Sequence, residues 1–363
     1  MKKLFTAAGL LLGITSLAQD SSRQHREAAG PLTVNGHVEA YYSYDFNRPA
    51  SSNRPGFLYN HSRHNEFTVN LAYLKGSYTT ARARVSLALG AGTYMNANYA
   101  AERGTMKNMY EGSAGYKLLR DQTIWLDIGV LPSHIGFESA HSPSCWTLTR
   151  SMAAENSPYY EAGARLTYHT PDSNWLFAAL ALNGWQRIQR EEGNSLPGWG
   201  TQVLYTPGST VSLNYSTFWG TPFPDSSRKW RSFHNLYGIF HLSRRLGLIL
   251  DFDMGWEQQA KGSRKRNNWY TPVAILRYMP SDQWAVALRG EYYHDRKGVI
   301  ISTGTPHGFQ TTGFSANIDY RPARQVVLRL EVRALNSRDK IFEKEGLPQQ
   351  GNTALTFSSA ISF

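Results

Sequence analysis

The chain has 363 residues, 38 Lys and Arg against 27 Asp and Glu, a formal charge of +11 and a single cysteine. Cys145 alone can close no intramolecular disulfide and build no cysteine metal site, and the basic residues are spread along the chain without a long run, which argues against nucleic acid. Mean hydropathy is −0.45, and past the N-terminus the longest apolar run is Trp175 to Leu182, too short for a membrane-spanning helix.

The first element in chain order is a leader. Lys2 and Lys3 precede a mostly apolar stretch, Leu4 to Leu17, and Ser16-Leu17-Ala18 is a small-x-small cleavage site. This predicts a Sec signal peptide over 1–18, cleaved after Ala18, and then a short polar segment over 19–31.

From residue 32 to 363 the sequence predicts one transmembrane β-barrel. A barrel strand needs about 9–11 residues that alternate outward apolar and inward polar positions. Segment 33–46 has His37, Glu39 and Asp45 inward; 65–79 follows; 82–95 has Arg82 and Arg84 inward; then 107–118 and 122–130. Past a long link come 159–170, with Glu161 and Arg165 inward, then 174–187, 197–206, 209–219 and 230–244. Segment 174–187 is apolar on both parities, so the facing of Trp175 stays open. Segment 246–259 sets Asp251, Asp253 and Glu257 against outward Leu248, Leu250, Phe252 and Met254. Then follow 268–280 with Arg277, 283–296 with Arg289 and Glu291, and 309–322 with Asn317 and Asp319. The last two are 325–338, with Arg329, Glu331 and Arg333, and 353–363. The fold class is therefore all-β: an antiparallel barrel of sixteen strands, with fourteen and eighteen as the neighbouring counts.

The connections alternate without exception. Seven are tight turns and eight are mostly long loops, the pattern of short periplasmic turns and long extracellular loops. Tyr168, Trp175, Tyr205, Tyr278, Trp284 and Tyr320 cluster beside the tight turns, where a periplasmic aromatic girdle belongs. Leu355, Phe357, Ile361 and Phe363 alternate in the final strand, whose terminal Phe363 is the expected assembly signal for the barrel-insertion machinery.

Residues Asp127, Gly129, Pro132, Gly136 and Glu138 are followed by Ser142-Pro143, Thr149-Arg150-Ser151 and Asn156-Ser157-Pro158-Tyr159-Tyr160-Glu161-Ala162-Gly163. This stretch resembles the β-barrel porin-2, or OmpL-like, family of bacterial outer-membrane proteins. The resemblance implies a porin in the outer membrane. Gly129 and Gly136 are suited to a bend where the chain leaves the wall.

The charged inward rows imply a polar lumen, because an Arg or Lys facing lipid at the midplane costs about 2–4 kcal/mol. Arg277, Arg289, Arg329 and Arg333 either set a field across the pore against the row Asp251, Asp253 and Glu257 or pair with Glu291 and Glu331 to hold the wall. The link 131–158 is the longest and contains Ile135, Phe137, Trp146 and Met152. It is expected to fold into the barrel, with Glu138, Arg150 and Glu155 as constriction charges facing the arginine wall; the alternative is a lid over the mouth.

No hydrolase elbow, zinc-helix, phosphate-loop or dinucleotide motif is present, so neither catalytic residue, cofactor nor metal ligand is expected. The leading function is passive diffusion of small polar solutes. A surface-binding or adhesion protein acting through its loops is the alternative, and an integral outer-membrane enzyme a more distant one. Expected partners are outer-membrane lipid, the insertion machinery and further copies of the chain as a homo-oligomer.

Overall fold

A computed structural model describes residues 31–363. The leader, its cleavage site and almost all of the polar segment lie outside the described residues. The strands are β1 (Leu32–Asp45), β2 (Phe67–Thr79), β3 (Ala83–Ala91), β4 (Met109–Lys117), β5 (Thr123–Pro132), β6 (Tyr160–His169), β7 (Trp175–Leu182) and β8 (Gly198–Tyr205). They continue as β9 (Val211–Gly220), β10 (Arg231–His241), β11 (Leu246–Gln258), β12 (Arg266–Tyr278), β13 (Trp284–Asp295), β14 (Phe309–Ala323), β15 (Val326–Ser337) and β16 (Gly351–Ser362). Each strand pairs antiparallel with its chain neighbours, and β1 pairs with β16, so the sheet closes with no free edge. Closure gives every strand a hydrogen-bonded neighbour on both sides, which a chain in hydrocarbon requires.

Every expected strand is present, with two local differences. The segment expected over 82–95 ends at Ala91, where the chain turns into helix α1 (Thr93–Asn98); the one expected to reach 187 ends at Leu182. The last outer loop adds a small hairpin, 342–344 with 347–349.

Outward positions are apolar and exposed: Leu250, Phe252, Leu330, Val332, Phe357 and Ile361 form part of this lipid-facing band. Trp175 is 38% exposed and packs on Tyr205 at 4.2 Å, so it belongs to the outward periplasmic girdle. Trp284 stacks on Tyr320 at 4.5 Å in the same girdle.

That facing turns Leu176, Ala178, Leu180 and Leu182 inward. They join Phe218, Phe233, Trp269, Tyr293, Phe309 and Leu335 of the wall. Loop residues Leu58, Ile135, Met152, Ile301 and Phe342 complete this apolar cluster inside the barrel. A second cluster covers the outer half of β2 and β6: Tyr94 and Met95 of α1 with Leu71, Tyr99, Val130 and Tyr160. The barrel's outer half thus holds a packed core made of its own loops.

Candidate functional site: the internal loop and the inner wall

The chain leaves the wall at Pro132 and returns at Tyr160. Gly129, at φ 137°, has no room for a Cβ, which would sit 2.1 Å from the Gly112 carbonyl oxygen; Gly136, at φ 83°, completes the bend. His134 then spans two parts of the wall. Its Nδ1 lies 2.6 Å from Glu161 on β6 and its Nε2 2.9 Å from the Thr217 carbonyl on β9. Ser216 donates to the His134 carbonyl, and the Gly136 N–H to Asn235 on β10. Loop 133–159 has therefore turned into the lumen. Phe137 and Trp146 next pack on Tyr237, Ile239, Ile249, Val273, Ile275 and Ala287.

On both sides of Trp146 the loop lies on the arginine-rich wall. Arg329 donates to the Ser142 carbonyl at 2.7 Å and the Cys145 carbonyl at 3.0 Å, and pairs with Asp319 at 2.8 Å. Arg289 donates to the Thr147 hydroxyl and the Thr149 carbonyl, and pairs with Glu331 at 2.9 Å. Glu331 accepts the Thr149 N–H at 2.6 Å; Glu291 accepts the Met152 N–H at 2.6 Å and pairs with Arg333 at 2.7 Å. Arg289, Glu291, Asp319, Arg329, Glu331 and Arg333 are all under 5% exposed. Breaking such a buried pair costs about 3–5 kcal/mol, because it strands a charge.

The expected constriction charges have other partners. The loop does not face the Arg289–Arg329–Arg333 wall across a gap; it rests on that wall. Glu138 accepts the Ser151 N–H, and Arg150 donates to the carbonyls of Ser139, Ala140 and Leu148 in its own loop. Glu155 ends helix α2 (Met152–Glu155) and accepts the N–H groups of Tyr59, at 2.9 Å, and Asn60, at 3.2 Å. It ties the internal loop to the outer loop 46–66. Burial pushes the Glu155 carboxyl up to about 7, against the pull of these N–H donors and of Arg150. Backbone path, not charge, decided which groups met the wall. The apolar residues at 135, 137, 146 and 152 were the signal for it.

The other predicted inner residues divide into four groups. Glu39 is fully buried, bonded to Asn70 and 3.3 Å from His61. Asp251 and Asp253 share the Asn235 amide as donor, while Glu257 pairs with Arg231 and Lys229. Arg84, Arg165 and Arg277 are only half-buried and line the inner wall of the periplasmic half. Arg82 differs: it lies in the turn before β3, and its guanidinium stacks 4.9 Å from Tyr116, which faces outward.

The half-buried inner surface near the tight turns carries residues that sequence reasoning left unnamed. Lys75 pairs with Glu111 across β3 at 2.6 Å. Arg84 pairs with Asp127 across Gly115 at 2.5 Å and stacks on Trp125 at 4.3 Å. Gly115 makes that ion pair possible, since a Cβ there would sit 2.2 Å from the Asp127 carboxylate. Lys117, Arg165, Arg277 and Arg321 complete this vestibule, which has six basic groups, counting Lys75 and Arg84, against Glu111, Asp127 and Asp319. At its upper limit Tyr73 of β2 meets the loop, its hydroxyl 3.1 Å from His141, whose ring lies 4.3 Å from His37.

The family described as "Putative beta-barrel porin-2, OmpL-like" matches residues 31–363. The chain belongs to this porin family. No curated protein is similar to it in sequence. Among solved structures this porin resembles an anion-selective porin from Comamonas acidovorans, with a TM-score of 0.59 and 10% identity over 92% of this chain and 99% of that one. It also resembles outer-membrane expressed OmpT of Vibrio cholerae, with a TM-score of 0.58 and 9% identity over 93% and 99%. Salmonella typhi OmpF, in a complex with daunomycin, gives 0.59 and 10% over 92% and 97%. At these identities the likeness is one of fold. Sixteen strands, the lipid-facing band and the family place the porin in the outer membrane.

Proposed function

We propose that the protein is an outer-membrane porin that passes small hydrophilic solutes by passive diffusion, with its internal loop setting a narrow passage. The observation that supports this reading is the division of the inner wall. The loop occupies the wall from β9 through β15, while β2 to β6 keep a charged, half-buried surface open toward the periplasmic turns. Solute then passes between the two, beside the His141–Tyr73 contact, where the loop reaches β2.

Sixteen strands give the barrel a lumen wide enough for water, and a loop that fills its outer half reduces it to a small cross-section. The vestibule's excess of basic groups favours anions among the solutes. We also read the protein as a homo-oligomer, as trimeric relatives of this fold suggest: OmpT of Vibrio cholerae is described in a trimer form.

The test is conductance of the purified, folded protein in a planar bilayer. Stepwise openings of small amplitude are expected. Folded protein that inserts and yields no steps would overturn the reading.

A further inference from the structure

The outer loops are unevenly charged. Loops 221–230 and 296–308, with 259–266 between them, carry eight Lys and Arg and one carboxylate, Asp225. The other five outer loops together carry eleven Lys and Arg against nine Asp and Glu. The excess is therefore confined to the rim over β10 to β13.

Within that rim three cations are already used. Arg228 pairs with Asp225, Lys229 with Glu257, and Lys261 donates to the Asp225 carbonyl. Arg264, Lys265, Arg266, Arg296 and Lys297 are exposed, and none of them is in an ion pair among the described residues. They are not on a loose tip. The Gln259 N–H bonds the Lys265 carbonyl, and the Gln258 amide bonds the Ser263 carbonyl, so the turn is closed.

Register fixes the height and direction of Arg266 and Arg296. Glu257 pairs with Asn267 on the inner face, so Arg266 points outward at the outer end of β12. On the next strand Tyr270 pairs with His294, which sets Arg296 and Lys297 just past the end of β13, beside Arg266. Directly below lies an outward aromatic belt. Trp219 stacks on Trp230 at 4.2 Å, Tyr270 stacks on His294 at 4.9 Å, and Trp256 packs edge-on against His234. Such a belt marks the membrane–water boundary. Arg266 and Arg296 therefore sit at headgroup level, facing the outer leaflet, and Arg264, Lys265 and Lys297 are exposed beside them in the chain.

We propose that this rim binds the phosphate groups of a phosphorylated outer-leaflet lipid. Arginine's planar donor fork matches a phosphate's oxygens, and clustered Lys and Arg beside a membrane surface attract anionic headgroups. The belt below supplies apolar contact for the acyl region, so headgroup and chains are held by one continuous surface. The inference is independent of any transport activity.

The probe is a diglucosamine lipid bearing two phosphates, compared with the same lipid after phosphate removal, with binding followed by native mass spectrometry of the full folded protein in detergent. The triple variant Arg264→Gln/Lys265→Gln/Arg266→Gln should bind the phosphorylated lipid about tenfold more weakly or worse. Wild-type protein should show a similar loss with the dephosphorylated lipid. The rim variant Arg338→Gln/Lys340→Gln/Lys344→Gln, in a loop of balanced charge, should bind like wild type. Heat-modifiable gel mobility checks that each variant is folded. Equal binding of both lipids, or unchanged binding by the folded triple variant, would overturn the proposal. So would full displacement of the lipid by an equal concentration of inorganic phosphate, which would mark a free-anion site instead.

Discussion

The Phe363 ring lies over Gly36: a Cβ on Gly36 would sit 2.2 Å from the ring's Cζ. The two residues also exchange backbone hydrogen bonds, at 2.8 and 2.9 Å, at the seam where β16 meets β1. The last residue therefore takes part in closing the barrel.

Deleting Phe363 removes both seam bonds and uncovers Gly36. A lower yield of heat-modifiable, folded barrel is expected in cells and in refolding from urea. A much larger defect in cells than in vitro would support reading of Phe363 by the insertion machinery; equal defects would reduce its role to seam closure. Gly36→Ala should cost only about 1 kcal/mol in urea unfolding, because the exposed ring can swing aside.

The internal loop predicts its own removal phenotype. Deleting residues 139–154 takes away the loop partners of Arg289, Arg329, Glu291 and Glu331, leaves their ion pairs within the wall, and admits water to it. Single-channel conductance should rise several-fold. Unchanged conductance from a correctly inserted deletion variant would exclude the loop as the constriction.

Arg289 and Glu331 form a buried pair that also seats the loop through Thr149. Arg289→Met and Glu331→Gln should each destabilise the folded barrel by about 3–5 kcal/mol. The double variant should cost clearly less than the two together, since neither charge is then stranded. Additive losses in urea titrations would show that the pair is not coupled.

The vestibule charges predict selectivity. With a salt gradient across the bilayer, the reversal potential should report a preference for chloride over potassium. Arg165→Gln with Arg321→Gln should shift it toward zero, while Arg264→Gln at the outer rim should leave it unchanged. A cation preference in the wild type would contradict the assignment.

The barrel was legible because lipid enforces its alphabet. Outward charge is costly, so Leu248, Leu250 and Phe252 alternating with Ile249, Asp251 and Asp253 can be seated only one way. Strand β7 was legible in position and not in facing: Trp175 to Leu182 is apolar throughout, because its inner residues meet the loop core and not water. The partners of Arg289 and Arg329 were hidden for a related reason. They are backbone carbonyls of a distant loop, and carbonyls leave no trace in a sequence. The run Ser263-Arg264-Lys265-Arg266 was visible, but only the register of β12 shows that Arg266 faces outward.

Glu155 gives the final prediction, a pH dependence. Its carboxyl is held up at about 7 by burial where it receives the Tyr59 and Asn60 N–H groups. The seated loop therefore binds this proton more tightly than a detached one, whose Glu155 would titrate near 4.5. Stability of the seat is fully present below the detached value and is lost as pH rises through the seated one. The window is about pH 4.5 to 7, and the loss is on the order of 3 kcal/mol. Loop 46–66 should accordingly become more open to hydrogen exchange and protease at pH 8 than at pH 5, after correction for intrinsic rates. Glu155→Gln keeps a carbonyl acceptor for Tyr59 and Asn60 and carries no charge, so it should remove the pH dependence. A Glu155→Gln variant that still loosens with rising pH would assign the effect to another group.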